Sequence, residues 1–295
     1  MLTTFFVLSR IVANPLSNVF QKKLGAFADP RVIIAVTHLQ LTLACLILLP
    51  FLAPMQLSAA FWGNMLVCAA LAIGGNMLIV AALRSADLSV LGPINAYKSI
   101  VGLLLGVVVL REVPSLPGIV GVILVLGGSF FIIDPQGGPS GRTTLTAFLG
   151  SRGIQLRLGA LILSATEAVF LKRALLLSSP AITFVFWCIL GLPLALLVVL
   201  AAFPRGVLVE FAKLRCDWKS TLLLAVTTGL MQFFTLYTFR ALEVGYSLAL
   251  FQTSTLLTVL FGYQIFNEQH ILRRLVGAII MIAGAILIVA FGSGT

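Results

Sequence analysis

Ten apolar segments fill this chain almost end to end, each near the roughly 20 residues that a helix needs to cross the hydrocarbon of a bilayer, and the last five repeat the first five in order. The repetition is carried by residues that are not apolar. Val19, Phe20, Lys22, Lys23 and Pro30 match Val169, Phe170, Lys172, Arg173 and Pro180 at an offset of 150. Trp62, Arg84, Asp87, Gly106, Glu112, Gly121 and Gly128 match Trp218, Arg240, Glu243, Gly262, Glu268, Gly277 and Gly284 at an offset of 156. Apolar identities are cheap in a chain that is 60% hydrophobic, so the paired charges, tryptophans and glycines decide the question. An odd number of spans per copy places the second copy upside down relative to the first. The expected fold class is therefore all-α integral membrane, with ten transmembrane helices in two inverted five-helix repeats, an arrangement that puts a binding site near the midplane between the copies.

The spans read approximately as 3–24, 31–53, 61–83, 88–110, 117–133, 157–178, 181–203, 219–240, 246–266 and 271–291. None alternates every second residue as a barrel strand would, and unbroken apolar runs of this length satisfy their backbone only as helices. Residues 1–137 form the first repeat and 155–295 the second, joined by a linker over 138–154 rich in Gly, Pro and Ser. A polar stretch from Pro204 to Lys219 accounts for the change of offset. With 9% charged residues and a mean hydropathy of +1.14, little remains for a soluble domain. The net charge of +10 does not imply nucleic acid, because all basic residues except Arg10 and Lys98 sit at or near span ends, where they meet headgroups and water. They are denser after the odd-numbered spans, which would place those connections in the cytoplasm and both termini outside. The first span contains Arg10 and lacks a basic leader, so it reads as a helix and not as a removable signal peptide. Cys45, Cys68 and Cys188 lie inside spans and Cys216 in a connection, a placement with no disulfide framework.

The segments LREVPSLPGIVGVILVLGGSFFI at 110–132 and FNEQHILRRLVGAIIMIAGAILIV at 266–289 each carry a Glu at the end of one span and a glycine nine residues later in the next, Glu112 with Gly121 and Glu268 with Gly277. In this the chain resembles the EamA-type, ten-helix branch of the drug/metabolite transporter superfamily, over its whole length. The resemblance implies export or exchange of small metabolites, amino acids among them, through a cavity that opens alternately to each side. It implies no enzyme activity. The small multidrug resistance branch of that superfamily carries an acid eight residues before a lysine of its first helix. Counted from Lys22 and Lys172, those positions here are Asn14 and Ser164, a departure that weighs against proton-coupled extrusion of lipophilic cations.

An ionisable group at mid-bilayer costs about 2.5–3.5 kcal/mol and so faces a wet cavity or a partner. Arg10, Lys98 and Glu167 are placed at that depth. Arg10, Asn14, Ser17, Asn18 and Gln21 share one stripe of span 1 at helical spacing. Pro15 lies within it, as a gating bend or an ordinary kink. Asn95, Lys98, Gly102 and Gly106 share a stripe of span 4, flanked by Tyr97 and Ser99. Lys98 has Ser254 as its counterpart in the second repeat, so fold symmetry does not require its charge, and it either binds an anionic group or neutralises Glu167. Glu167 either holds a substrate amine or carries a coupling proton. His38, Gln252 and Ser254 complete the candidate substrate-binding set of Arg10, Asn14, Asn18, His38, Asn95, Tyr97, Lys98, Glu167, Gln252 and Ser254. No phosphate loop, zinc motif or serine elbow is present, so no catalytic residue, metal or cofactor is expected.

The expected activity is secondary transport of a small polar metabolite bearing an anionic group, such as an amino acid, in the bacterial inner (plasma) membrane, with the bilayer, the substrate and coupling protons as partners. The alternatives are a proton-coupled exporter of organic cations and a non-transporting scaffold. The cavity is expected between spans 1, 4, 6 and 9, with parts of 2, 3, 7 and 8, and with spans 5 and 10 standing aside. Asn14→Leu suits the membrane but offers a substrate no hydrogen bond, so transport should fall while expression and melting temperature hold. Undiminished flux at normal expression would make the stripe structural only.

Overall fold

A bilayer offers backbone groups no partner, so every span must close its own hydrogen bonds, and the computed structural model does this with helices alone over the residues it describes, 2–52, 56–98, 100–101, 115–131, 150–242 and 244–291. The helices are α1 (Leu2–Gly25), α2 (Pro30–Leu48), α3 (Ala59–Ser85), α4 (Leu88–Leu91), α5 (Leu116–Phe130), α6 (Arg152–Leu176), α7 (Pro180–Ala202), α8 (Val207–Arg215), α9 (Trp218–Ala241), α10 (Val244–Gln252), α11 (Ser254–Phe266) and α12 (Ile271–Phe291). Short 3-10 turns follow α2 at Leu49–Phe51 and α4 at Pro93–Ala96. Seven helical segments are long and apolar enough to cross a membrane among the described residues. The polar stripe keeps α1 out of that set, and α5 is shorter. Glu112, Gly102, Gly106, Ser99 and residues 138–149 of the expected linker lie outside the described residues.

Helix starts are written in short polar residues. Asp29 accepts the Arg31 N–H at 2.9 Å and pairs with the Arg31 guanidinium, with Pro30 opening α2. At the equivalent place Ser179 caps α7 through the Ile182 N–H, and Pro180 opens it. Ser58, Ser151 and Asp217 cap α3, α6 and α9 in the same way.

Two spans expected to be continuous are interrupted. Span 4 stops at Leu91 and continues as a 3-10 turn, because Pro93 has no N–H to donate and the Asn95 N–H turns to Gly92 O at 3.1 Å. Span 9 is interrupted at Thr253, whose N–H bonds to Leu250 O, while the Ser254 hydroxyl donates to Phe251 O at 2.6 Å. By contrast α1 runs through Pro15 without interruption. The stretch from Pro204 to Lys219, read from the sequence only as a polar connection, contains α8, which starts after Gly206 in left-handed backbone at φ 104°.

The packing partners are α1 with α9, α3 with α6, α2 with α7 and α5 with α12. Exchanging the two halves of the sequence maps the first pair onto the second and each of the last two onto itself. Repeat counterparts even touch: His38 Nδ1 lies 3.4 Å from the carbonyl of Cys188, 150 residues on. Helices α5 and α12 cross through glycines, where a Cβ on Gly121 would overlap Gly284 O and one on Gly128 would overlap Gly277 O. Hydroxyls buried between helices are satisfied locally, as when Thr37, Thr235 and Thr258 donate to the carbonyl one turn back.

At one end of the molecule a buried carboxylate ties four elements together. Glu268, 7% exposed in the α11–α12 connection, accepts from Lys22 Nζ at 2.6 Å, from the Leu88 N–H at 2.8 Å and from the Ser89 N–H at 2.9 Å. The Ser89 hydroxyl also donates to it, and Arg274 lies 3.5 Å away while reaching Asp87 at 2.9 Å. Burial pushes this carboxyl up, but the Lys22 and Ser89 hydrogen bonds outweigh burial and hold it below the ordinary glutamate value. A carboxyl depressed on folding contributes stability that is complete above its unfolded value, about 4.3, and is lost as pH falls through the lower folded value. Glu268→Gln should therefore cost about 3 kcal/mol at neutral pH by leaving Lys22 without its anion and Arg274 with Asp87 alone. Thermal melts in detergent between pH 3 and 7 should show the difference from the native chain shrinking at the acid end.

Candidate functional site

Where the interrupted spans meet α1, α3, α6, α7 and α9, the helices border a cavity of about 120 Å³, room for a small solute and more than a single water. Each helix turns one face to it. On α6 the lining residues Arg157, Ala160, Leu161, Ser164, Glu167, Ala168 and Leu171 recur at steps of three and four. Along α1 the whole stripe of Arg10, Asn14, Ser17, Asn18 and Gln21 lines the wall. Ala72, Gly75, Asn76 and Ile79 form the face of α3, where Gly75 lets α6 approach. Among the described residues, helices α5 and α12 contribute nothing to the lining, and neither does α2.

Of the candidates from the sequence, Arg10, Asn14, Asn18, Asn95, Lys98, Glu167, Gln252 and Ser254 line this one cavity. His38 and Tyr97 do not. The His38 ring is 2% exposed, sits against Gly191 so closely that a Cβ there would overlap it, and packs on Trp187 at 4.9 Å between ring centroids. Trp187 thus stands between His38 and the cavity, and the imidazole serves the α2–α7 contact. Tyr97 packs instead with the clusters around Leu88 and Met281.

Hydrogen bonds lock the wall from both halves of the chain. The Asn14 amide donates to Ser254 Oγ at 3.3 Å, and Ser17 and Thr228 hydroxyls meet at 2.9 Å. Gln252 Nε2 donates to the backbone carbonyl of Asn95 at 3.0 Å, joining the two interrupted spans to each other. Several groups are left over. Arg10 Nε and one amide atom each of Gln21, Gln232 and Gln252 are buried without a hydrogen-bond partner. All four residues line the cavity.

Charge is distributed unevenly. Arg10, Lys98 and Arg157 bring three cations to the wall and Glu167 one acid. Glu167 forms no salt bridge among the described residues; its Oε1 accepts from Trp187 Nε1 at 3.1 Å and from Cys68 Sγ at 3.8 Å. Lys98 lies within electrostatic reach of Glu167, Arg10 and Arg157, yet forms no ion pair among the described residues. The Arg10 guanidinium lies 4.1 Å above the Phe251 ring, a cation–π contact that replaces part of its lost hydration.

Arg157 and Trp187 are among the lining residues that escaped the sequence reading, as is Asn76, whose amide donates to Ala72 O at 2.9 Å. Arg157 was placed at the edge of span 6 because the apolar run begins there, but α6 starts at Arg152 and carries Arg157 well inside, 6% exposed. The early start was signalled by Ser151, a good N-cap. Trp187 is an apolar residue by composition, and nothing in the sequence tells an indole that donates a hydrogen bond from one that only fills space. Trp187→Phe keeps the ring and removes the donor to Glu167, a charge-assisted bond of about 2 kcal/mol. Chemical denaturation should show a loss of that size, with helix content unchanged.

The chain matches the model of the EamA-like transporter family twice, over residues 4–134 and 151–290. A search of curated proteins returns no match. A crystal structure of a protein at 13% sequence identity superimposes with a TM-score of 0.52, covering 97% of this chain and 95% of that one, which is a likeness of fold. With the family model covering most of its length in two successive copies, the chain belongs to the EamA-like transporter family.

Proposed function

We propose that this EamA-like protein is a secondary transporter of a small polar metabolite bearing an anionic group, an amino acid among the candidates, working by alternating access across the bacterial inner membrane. The observation that carries the reading is the cavity's charge: three cations and one acid, with Lys98 and Glu167 facing the same space and not paired to each other. Ion-paired charges would only hold helices together. Charges left apart around a cavity offer an anion-binding end and an amine-binding or proton-carrying end. In this reading the architecture is ten spans in two inverted repeats, supported by packing partners that exchange of the halves leaves unchanged and by the contact of His38 with its counterpart Cys188.

Alternating access then exchanges the packing at the two ends of the cavity, with the Glu268 network as the closure of one end. That end carries the connections expected in the cytoplasm. The second reading, a proton-coupled exporter of organic cations, rests on Glu167 being the cavity's one acid, and the three cations beside it oppose that reading. A scaffold has no use for a polar cavity with unpartnered amides.

Purified protein in detergent, melted with amino acids, organic acids and quaternary amines, tests the proposal, with Lys98→Met, Glu167→Gln and the double variant beside it. Lys98→Met should abolish stabilisation by anionic solutes while the protein still folds. Glu167→Gln should remove the pH dependence of flux. If both singles destabilise, the double restores stability and ligand shifts stay unchanged throughout, the charges are structural and the assignment of Lys98 fails.

A further inference from the structure

Arg157 is held differently from the other cavity cations. Its Nε donates to the carbonyl of Leu91 at 3.2 Å and its Nη2 to Asn95 Oδ1 at 2.8 Å. Leu91 O is available because the Asn95 N–H has turned to Gly92 O in the 3-10 segment. The break in span 4 thus creates the acceptor that orients the guanidinium. Among the described residues no further hydrogen bond engages Nη1, and the side chain lines the cavity. A guanidinium braced along one edge presents the rest of its fork at little further entropic cost.

Arg10 has a matching place. Asn95 and Phe251 are counterparts at the 156-residue offset, Asn95 in the 3-10 turn of span 4 and Phe251 at the end of α10, just before the interruption of span 9. Arg157 on α6, the first helix of the second half, binds Asn95 in span 4. Arg10 on α1, the first helix of the first half, lies over Phe251 in span 9. Each half therefore sends one arginine from its first helix to the broken helix of the other, and the buried Arg10 Nε has no partner.

We infer that the cavity binds a solute with two anionic groups, one received by Arg10 and one by Arg157, with Lys98 as the third cation, and that Arg157 is a specificity-determining residue. This deepens the transport reading above and rests on it. Charge balance argues for it. Three cations and one acid among the described lining residues leave the wall with an excess of two positive charges, which a zwitterion does not reduce, an amino-dicarboxylate halves and a dicarboxylate without an amine offsets in full. An uncompensated charge away from bulk water is costly, so this difference sorts solutes. The Glu167 carboxylate adds an acceptor for an amine or hydroxyl between the two anionic ends. The class that fits is an amino- or hydroxy-dicarboxylate.

The test is ligand-dependent melting of the full chain in detergent with L-aspartate, succinate, L-glutamine and tetraethylammonium, for the native protein, Arg157→Lys and Arg157→Gln. L-Aspartate and succinate should raise the melting temperature and L-glutamine should not. Arg157→Lys keeps the charge but loses the two-point brace, so its Kd for L-aspartate should rise at least tenfold, and Arg157→Gln should lose the response. If the glutamine variant does not fold, the lysine variant decides. Native affinity for L-aspartate in Arg157→Lys, or L-glutamine binding as tightly as L-aspartate, overturns the inference. Stabilisation by L-glutamine alone overturns it while leaving transport of a polar metabolite standing. Stabilisation by tetraethylammonium alone, or by none of the four, overturns both.

Discussion

An unpaired backbone carbonyl inside a bilayer costs several kcal/mol, and this fold is organised around the place where two such carbonyl-bearing segments are allowed. Spans 4 and 9 give up helical bonding at Pro93–Ala96 and around Thr253, and both breaks open toward the cavity. What they release is taken up by side chains: Leu91 O by Arg157, Asn95 O by Gln252, Phe251 O by Ser254. The groups that satisfy the broken backbone are the groups that build the binding wall. Discontinuous helices at a cavity are the one setting in which irregular backbone is tolerated at membrane depth.

Around this centre the rest of the structure is a frame. Helices α5 and α12, joined through Gly121, Gly128, Gly277 and Gly284, stand outside the cavity and brace the interrupted spans. Close approach of glycines replaces the hydrophobic driving force that lipid cannot supply between helices. The Glu268 network does the corresponding work at one end, where Lys22, Ser89 and Arg274 come from three separate elements. Its strength lies in the number of donors on one carboxylate, since a single buried pair seldom repays its own desolvation.

Much of this was legible in the sequence, for a physical reason. A polar residue inside an apolar run is expensive enough that its position carries information, so the stripe from Arg10 to Gln21 located one wall of the cavity, and Asn95, Lys98 and Glu167 located others. His38 and Tyr97 obeyed the same rule but met the alternative outcome, a partner between helices in place of a cavity. What stayed illegible depended on backbone course. The break at Pro93 moves Leu91 O into reach of a side chain 66 positions away, and no spacing rule encodes that meeting. Arg157 looked interfacial only because its surroundings are apolar from that point on, while the helix itself had begun at Arg152.

The two halves differ in an informative way. At the ends of the spans the charges recur across the repeat: Lys22 with Lys172, Arg84 with Arg240, Asp87 with Glu243, Glu112 with Glu268. In the cavity they do not. The counterparts of Arg10, Lys98, Arg157 and Glu167 are Ala160, Ser254, Val7 and Ser17. A frame that must close on either side is served by like charges at like positions. A solute is not symmetric, and a wall that recognises one must place different groups around it. The charges that duplication did not preserve are therefore the ones to associate with recognition. Arg10 and Arg157 follow this rule in a revealing form, since each reaches the broken helix of the opposite half but from positions that are not counterparts, one against a ring and one against an amide. The fold repeats the direction of reach, and the side chains that receive it set the two ends of the cavity apart.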